Sequence, residues 1–119
     1  MSKKGNKNKK KGTAFEYRVK AYMVKRGYTV LRARGSLGPA DLFCLKPNEK
    51  DVAIQCKDVK SNYYSKQEMS EFKQFCRTFD RQCIWAYNFH APDKKRGRMK
   101  FLDLANIEIS SLTMEQLAQ

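Results

Sequence analysis

The sequence predicts an α/β fold in which a mixed sheet of about five strands is flanked by helices. Apolar residues recur with helical spacing in two segments and form short runs typical of strands in five others. Their order along the chain is helix, three strands, helix, two strands. The second helix lies between the third and fourth strands, and a connection through a helix joins parallel strands. The 119 residues suffice for one domain with a single core.

The chain is strongly basic, with a net charge of +13. Part of this charge lies in the low-complexity run MSKKGNKNKKKG, which predicts a disordered basic arm over residues 1–12 and a single domain over residues 13–119. The domain stays basic without the arm, so the expected partner is nucleic acid, whose neutralised phosphates release counterions. An anionic membrane is the competing partner, but no hydrophobic anchor accompanies the arm, and we expect no membrane binding.

The sequence has no apolar run long enough to cross a bilayer, and no apolar segment follows the basic N-terminus as in a signal peptide. Its four cysteines form no CxxC pair and are expected to be reduced thiols. A zinc site made from the cysteines and His90 is not favoured, because the spacing matches no common zinc pattern. We therefore expect a cytoplasmic protein of prokaryotic or viral origin.

The first helix is predicted from Phe15 and Val19, which share one face, and it ends at Gly27. Thr13 and Glu16 have the Thr-x-x-Glu spacing of a capping box, in which the glutamate bonds to the backbone at the start of a helix. Capping is thus one ordinary role for Glu16.

The remaining elements follow from runs of β-branched and aromatic residues between turn residues. Strands are expected at residues 28–33, 41–45, 52–57 and 82–89, and at the run MKFLDL. A second helix begins near Ser65, where SKQE forms a capping box, and a short helix follows Leu112. His90 is interpreted as a turn residue. The basic turn HAPDKKRGR either contacts phosphates or is a solvated charge cluster.

Polar residues at the ends of two neighbouring strands form a candidate site. Asp41 opens the second strand, and Gln55 and Lys57 share one face of the third, because side chains alternate along a strand. A carboxylate and an amide oxygen can hold a hard divalent cation, and an ammonium can position a water or stabilise charge on a phosphate. The same residues also fit a solvated strand end, which is the favoured interpretation when they are considered alone.

This pattern resembles the PD-(D/E)XK nuclease superfamily, in which an acidic residue opens one strand and (D/E)-x-K lies on the next. Here PAD supplies Asp41, and QCK supplies Gln55 and Lys57. More narrowly, the chain is similar to archaeal-type Holliday-junction resolvases through KGTAFEYRV, RGYTVLRARGS, EFKQFCRTF and MKFLDL. The resemblance implies a restriction-endonuclease-like sheet and a Mg²⁺-dependent endonuclease, with Mn²⁺ able to substitute. It further implies a homodimer that resolves four-way DNA junctions by paired symmetric incisions.

The resemblance also implies roles for individual residues. Glu16, Asp41 and Gln55 match metal ligands, with the backbone carbonyl of Cys56 as an additional ligand, and Lys57 matches the catalytic lysine. The resemblance also places Ser36 near the scissile phosphate, Arg32 in handling the junction, and Phe72, Phe75 and Phe79 in the dimer interface. From their charge, further cations are expected to bind DNA, namely Arg18, Arg34, Lys10, Lys11 and Lys60; Arg32 and Arg34 also fit solvated charges beside the loop.

Two residues depart from the resolvase pattern. Gln55 replaces the usual acid, which removes a negative charge and predicts weaker metal affinity, although Mrr-like restriction enzymes look to carry Gln-x-Lys as well. Asp58 is not expected to replace that charge, because the strand alternation directs it to the other side. Tyr17 stands where many resolvases have an arginine, and Arg18 is the neighbouring cation.

Three alternatives stay open. A nuclease of the same fold would cut linear or flapped DNA. A module that has lost catalysis would bind junctions without cutting them, with Gln55 as the residue that disabled it. An RNA-binding protein would stack single-stranded bases on Tyr63, Tyr64 or Trp85.

Overall fold

The computed structural model describes residues 3–33 and 38–119, with the backbone alone for residues 3–12. Its helices are α1 Lys3–Lys25, α2 Lys66–Thr78 and α3 Met114–Ala118, and its strands are β1 Thr29–Arg32, β2 Leu42–Leu45, β3 Val52–Lys57, β4 Gln82–Phe89 and β5 Arg98–Asp103. Two single-turn 3₁₀ helices, Leu104–Asn106 and Ile109–Ser111, connect β5 to α3. The predicted fold class and order of elements are confirmed.

The five strands form one sheet in the order β1-β2-β3-β4-β5. Only β3 and β4 pair in parallel, as the helical connection between them predicts, and the other neighbours are antiparallel. The parallel pair aligns Lys57 with Tyr87, so β3 and β4 end at the same edge of the sheet. We call this edge the carboxyl edge; β2 begins there, and the β4–β5 turn protrudes from it.

Each face of the sheet is covered by one of the two long helices. Phe15, Val19 and Met23 of α1 pack on one face against a cluster that includes Leu42 and Ile54. Met69, Phe72 and Cys76 of α2 pack on the other face, against a cluster that includes Ala53 and Trp85. The alternation of β3 places Ile54 towards α1 and Ala53 towards α2, and by the same alternation Gln55 and Lys57 face the α2 side.

The N-terminal segment differs from the expectation. Helix α1 begins at Lys3, so residues 3–12 are helical in the structure, whereas the sequence predicts a disordered arm. Lysine is a good helix former, and extending an existing helix costs less than nucleating a new one. Because the helix passes through Thr13, Glu16 does not have the alternative role of capping its start. The division into an arm at residues 1–12 and a domain at residues 13–119 stays a prediction.

Across the part of the chain that the structure describes, no helix combines the length and the apolar character needed to cross a bilayer.

Candidate active site

Asp41 is held against the end of β3 by two backbone contacts. Its backbone N–H donates to the carbonyl of Ile54 at 2.8 Å, and its Oδ2 accepts from the N–H of Cys56 at 2.7 Å. Burial raises the pKa of the Asp41 carboxyl, and the nearby carboxylate of Glu16 raises it further, whereas the Cys56 N–H and the charge of Lys57 act in the opposite direction. The ionised form of this carboxylate is therefore destabilised by burial and by the charge of Glu16, and a bound cation would stabilise it.

Gln55 lies on β3 between the two residues that Asp41 contacts. Its side chain is only 8% exposed, and its Oε1 is buried without a hydrogen-bond partner among the described residues. A buried acceptor left unsatisfied costs about 1–3 kcal/mol. Such an oxygen beside a buried carboxylate suits a hard cation, which binds amide and carboxylate oxygens.

Glu16 extends from α1 into the same region, where its carboxylate pairs with Arg32. The two side chains form an ion pair of 3.2 Å, and the hydrogen bond to Glu16 is the largest influence that raises the pKa of Arg32. Arg32 also donates to the hydroxyl of Tyr17 at 3.1 Å, with its guanidinium 4.7 Å from the centre of the tyrosine ring. Tyr17, which departs from the resolvase pattern, thus helps to hold the arginine at the end of β1.

Lys57 is held by a residue for which the sequence suggests only a capping role. Its ammonium lies 3.0 Å from Oε2 of Glu68 on the first turn of α2, and 5.9 Å from the centre of the Trp85 ring. The side chain of Ser65 accepts from the backbone N–H of Glu68, so half of the predicted capping box is present. The glutamate of that box pairs with the lysine through its carboxylate.

The donors at this site are oxygens, which fits a divalent cation of the Mg²⁺ type. Asp41 and Gln55 supply a carboxylate and an amide oxygen on the same edge, and Glu16 is the nearest further acid. Within residues 3–33 and 38–119 there is no cluster of three His, Cys, Asp or Glu side chains that could bind a metal. The thiol of Cys56 stays protonated because burial raises its pKa, so only its backbone is available to the site.

The remaining residues expected to contact DNA are spread around this edge. Arg18 is exposed on α1, with its guanidinium 5.7 Å from the centre of the Phe15 ring, and Lys60 is exposed in the loop between β3 and α2. Arg34 and Ser36, and the side chains of Lys10 and Lys11, lie outside the described part.

The aromatic residues expected in a dimer interface divide into two groups. Phe75 and Phe79 pack with ring centres 5.0 Å apart and line an apolar groove of about 660 Å³ with Leu31, Phe43 and Leu45. Phe72 is fully buried between α2 and the sheet, so its assignment to an interface is wrong. The helical stripe that predicts these residues holds both core and surface positions, and spacing alone does not separate them.

The RNA-binding alternative loses most of its stacking surface in the structure. Trp85 is fully buried and Tyr64 nearly so, and they pack edge to face with ring centres 5.8 Å apart. Tyr63 is 77% exposed and is the remaining one of the three aromatics proposed for stacking.

A polar network beside the site was missed by the sequence analysis. Nε2 of His90 lies 2.7 Å from Oδ1 of Asp58, the residue after Lys57, so the interpretation of His90 as an isolated turn residue is wrong. Asn88 donates to the same carboxylate oxygen at 3.3 Å. The side chain of Asn62 forms two hydrogen bonds with the backbone of His90: its Oδ1 accepts from the N–H, and its Nδ2 donates to the carbonyl. These residues are about 30 positions apart in the sequence, and no local spacing relates them.

The family model of archaeal Holliday junction resolvases, Hjc, matches residues 7–115, which is most of the chain. The chain belongs to this resolvase family. Among solved structures it is similar to Hjc of Archaeoglobus fulgidus, a Holliday junction resolvase from an archaeal hyperthermophile. The TM-score is 0.61, with 25% sequence identity over 80% of this chain and 74% of that chain. No curated protein matches the sequence.

Membership of the resolvase family confirms the predicted class of enzyme, a DNA endonuclease that resolves Holliday junctions. As a resolvase, the protein acts on a branched polyanion, which agrees with its net charge of +13. Asp41, Gln55 and Lys57, which the sequence analysis relates to the nuclease motif, lie at the carboxyl edge of the sheet.

Proposed function

We propose that this resolvase cuts four-way DNA junctions at the site formed by Asp41, Gln55 and Lys57, using Mg²⁺ or Mn²⁺. The observation that carries the proposal is the buried, unpartnered Oε1 of Gln55 next to a carboxylate that is clamped at 2.7 Å by a backbone N–H. These two oxygens are oriented by the fold before any ligand arrives, which is the arrangement that a metal-dependent phosphodiesterase needs.

Asp41 and Gln55 would hold the cation, with Glu16 and the backbone carbonyl of Cys56 as further ligands. When bound, Mg²⁺ stabilises negative charge on the phosphate and lowers the pKa of a coordinated water. The protein's own contribution is to fix the two oxygens and to exclude solvent from Gln55, which is 8% exposed. Arg32, positioned by its ion pair with Glu16, would contact the junction backbone.

Lys57 would position the attacking water or donate to the scissile phosphate. Its partner Glu68 is half exposed, and an exposed ion pair of this kind is worth less than about 1 kcal/mol. The lysine can therefore exchange the carboxylate for a phosphate at little cost. Glu68 keeps the ammonium at the site until the substrate arrives.

A homodimer would supply the second active site that paired incisions require. The apolar groove around Phe75 and Phe79 suits this contact, because Phe79 and Leu31 are 58% and 53% exposed although both are large and apolar. A second copy of the chain is the occupant that places two identical sites across a two-fold axis, which matches the symmetry of paired cuts.

Incision of a labelled four-way junction beside a linear duplex of the same sequence tests the proposal. Reactions with Mg²⁺, Mn²⁺ and EDTA would compare the wild type with Lys57→Ala, and Lys25→Ala serves as a control because Lys25 is exposed at the far end of α1. We expect symmetric cuts on the junction alone, abolished by EDTA and by Lys57→Ala. Equal cutting of the duplex favours a nuclease for linear DNA, and binding without incision refutes catalysis by this site.

A further inference from the structure

The turn between β4 and β5, which the sequence leaves as either a phosphate contact or a solvated cluster, presents a group of cations outside the proposed active site. Lys94, Lys95, Arg96 and Arg98 are all exposed, and among the described residues none of their side chains takes part in an ion pair or hydrogen bond. Only one acidic residue, Asp93, lies in the turn. Such a turn keeps its full positive charge available to an external polyanion.

The sheet places this turn beside the active site. Tyr87 of β4 is aligned with Lys57 on one side and with Lys100 on the other, and the last aligned pair before the turn is Phe89 with Arg98. Along the strands, the turn therefore starts two residues, or about 7 Å, beyond Lys57. Across the sheet, β4 and β5 lie one and two strand spacings from β3, or roughly 5 and 10 Å. The straight-line offset is therefore roughly 9–12 Å, which along a DNA duplex corresponds to about three base pairs at about 3.4 Å per pair.

The base of the turn is tied to the residue that follows the lysine. Asn88 and His90, at the end of β4, both bond to the carboxylate of Asp58, at 3.3 and 2.7 Å. On the other strand of the turn, Gly97 packs directly on the Asn88 side chain, and a Cβ at this position would overlap the amide. These contacts hold the base of the turn next to Asp58, and so at a defined offset from Lys57.

We propose that Lys94, Lys95 and Arg96 bind the phosphate backbone of a DNA arm about three base pairs from the scissile phosphate. The inference rests on the proposed function, because that function places the scissile phosphate at Lys57. The contact fixes the angle at which the arm leaves the site. The rival explanation is a solvated cluster that attracts DNA only through its net charge.

Binding measured in EDTA separates these explanations without depending on cleavage. The triple variant Lys94→Ala/Lys95→Ala/Arg96→Ala is compared with Lys25→Ala/Lys50→Ala/Arg77→Ala. Both variants lose three positive charges, but the control residues are exposed at the opposite edge, where α1 and α2 end and β2 turns into β3. All the substitutions lie on the surface, so the free energy of unfolding of each variant should differ from that of the wild type by about 1 kcal/mol or less.

The affinity for a four-way junction would be measured between 50 and 200 mM KCl. Each phosphate contact contributes about 0.9 to the slope of log K against log salt. We expect the turn variant to lose about 2–3 in slope per protomer, and the control variant to lose less than about 1. Equal losses in the two variants overturn the proposal, because the cations then act only through net charge.

Junctions with single neutral methylphosphonates locate the contact. Substitution of a phosphate about three base pairs from the cut should weaken binding of the wild type but not of the turn variant. Equal weakening of both proteins also overturns the inference. The two proposals fail separately. If the wild type cuts junctions but the turn and control variants show the same salt slopes, only the contact at the turn is refuted. If the wild type never cuts junctions, the proposed function itself is refuted.

Discussion

Replacement of Gln55 by glutamate would restore the acid of the nuclease motif and place two carboxylates side by side, one just before β2 at Asp41 and one on β3. Neighbouring side chains on adjacent strands lie roughly 5 Å apart, and two negative charges at that distance repel by about 3 kcal/mol at an effective dielectric constant of about 20. Position 55 is 8% exposed, so water screens this repulsion weakly. We therefore expect Gln55→Glu to lower the free energy of unfolding by about 3 kcal/mol at pH 7 without metal.

Protonation limits the loss and gives it a pH dependence. Taking up a proton relieves the repulsion, and for a glutamate with an ordinary pKa this costs about 3.7 kcal/mol at pH 7 but only about 1 kcal/mol at pH 5. The destabilisation should therefore shrink to about 1 kcal/mol as the pH falls to 5. Mg²⁺ should reverse it, because a divalent cation between the carboxylates turns repulsion into attraction.

Thermal unfolding of Gln55→Glu in EDTA and across a Mg²⁺ titration measures both effects. We expect a melting temperature about 10 °C below the wild type in EDTA at pH 7, and a half-saturating Mg²⁺ concentration at least about tenfold lower. Gln74→Glu is the matched control, since it adds the same charge at an exposed position of α2. A variant that melts like the wild type in EDTA, or needs as much Mg²⁺, would show that residue 55 does not share a cation site with Asp41.

Two further substitutions test other parts of the proposal. Burial raises the pKa of Asp41, so the fold loses stability as the pH rises from the ordinary aspartate pKa through the raised value. Asp41→Asn should therefore be more stable than the wild type at pH 7 in EDTA, equally stable in acid, and unable to cut; lower stability at pH 7 would contradict the burial argument. Phe79→Glu should convert the proposed dimer to monomers in sedimentation without unfolding the chain, whereas Tyr63→Glu, at another exposed aromatic, should not. Unchanged sedimentation of Phe79→Glu would exclude the groove as the interface.

The strand pattern predicted the sheet well because its physical causes are local. Alternation along β3 places Ile54 and Gln55 on opposite faces of the sheet. The helix after β3 makes its pairing with β4 parallel, so both strands end at the edge that carries the site. Both features can be predicted from residues that are close in the sequence. Side-chain partners were harder to predict. The pairing of Lys57 with Glu68 and that of Asp58 with His90 depend on how α2 and β4 pack on the sheet, and residue types alone do not specify those distances.

The burial of Phe72 and the structure of the N-terminal segment both depend on interactions beyond the local sequence. Phe72 lies on α2 and Phe79 is the C-cap residue of that helix; the sequence pattern places both in one apolar stripe, but only the packing of α2 decides which of them faces the sheet. For the N-terminal segment, composition predicts disorder, whereas the adjoining helix supplies a nucleus on which the lysines can continue. In both cases the deciding interaction lies outside the segment from which the prediction was made.

The pairing of charges gives Gln55 a physical rationale. Glu16 is neutralised by Arg32, and Glu68 pairs with Lys57, so Asp41 is the carboxylate of the described site that has no ion pair. A second unpaired acid at position 55 would stabilise a bound cation but would destabilise the metal-free fold. The amide avoids that loss and leaves the cation with a net positive charge that phosphates can share. Metal and junction should therefore each increase the affinity for the other, because a coupling between two ligands is reciprocal.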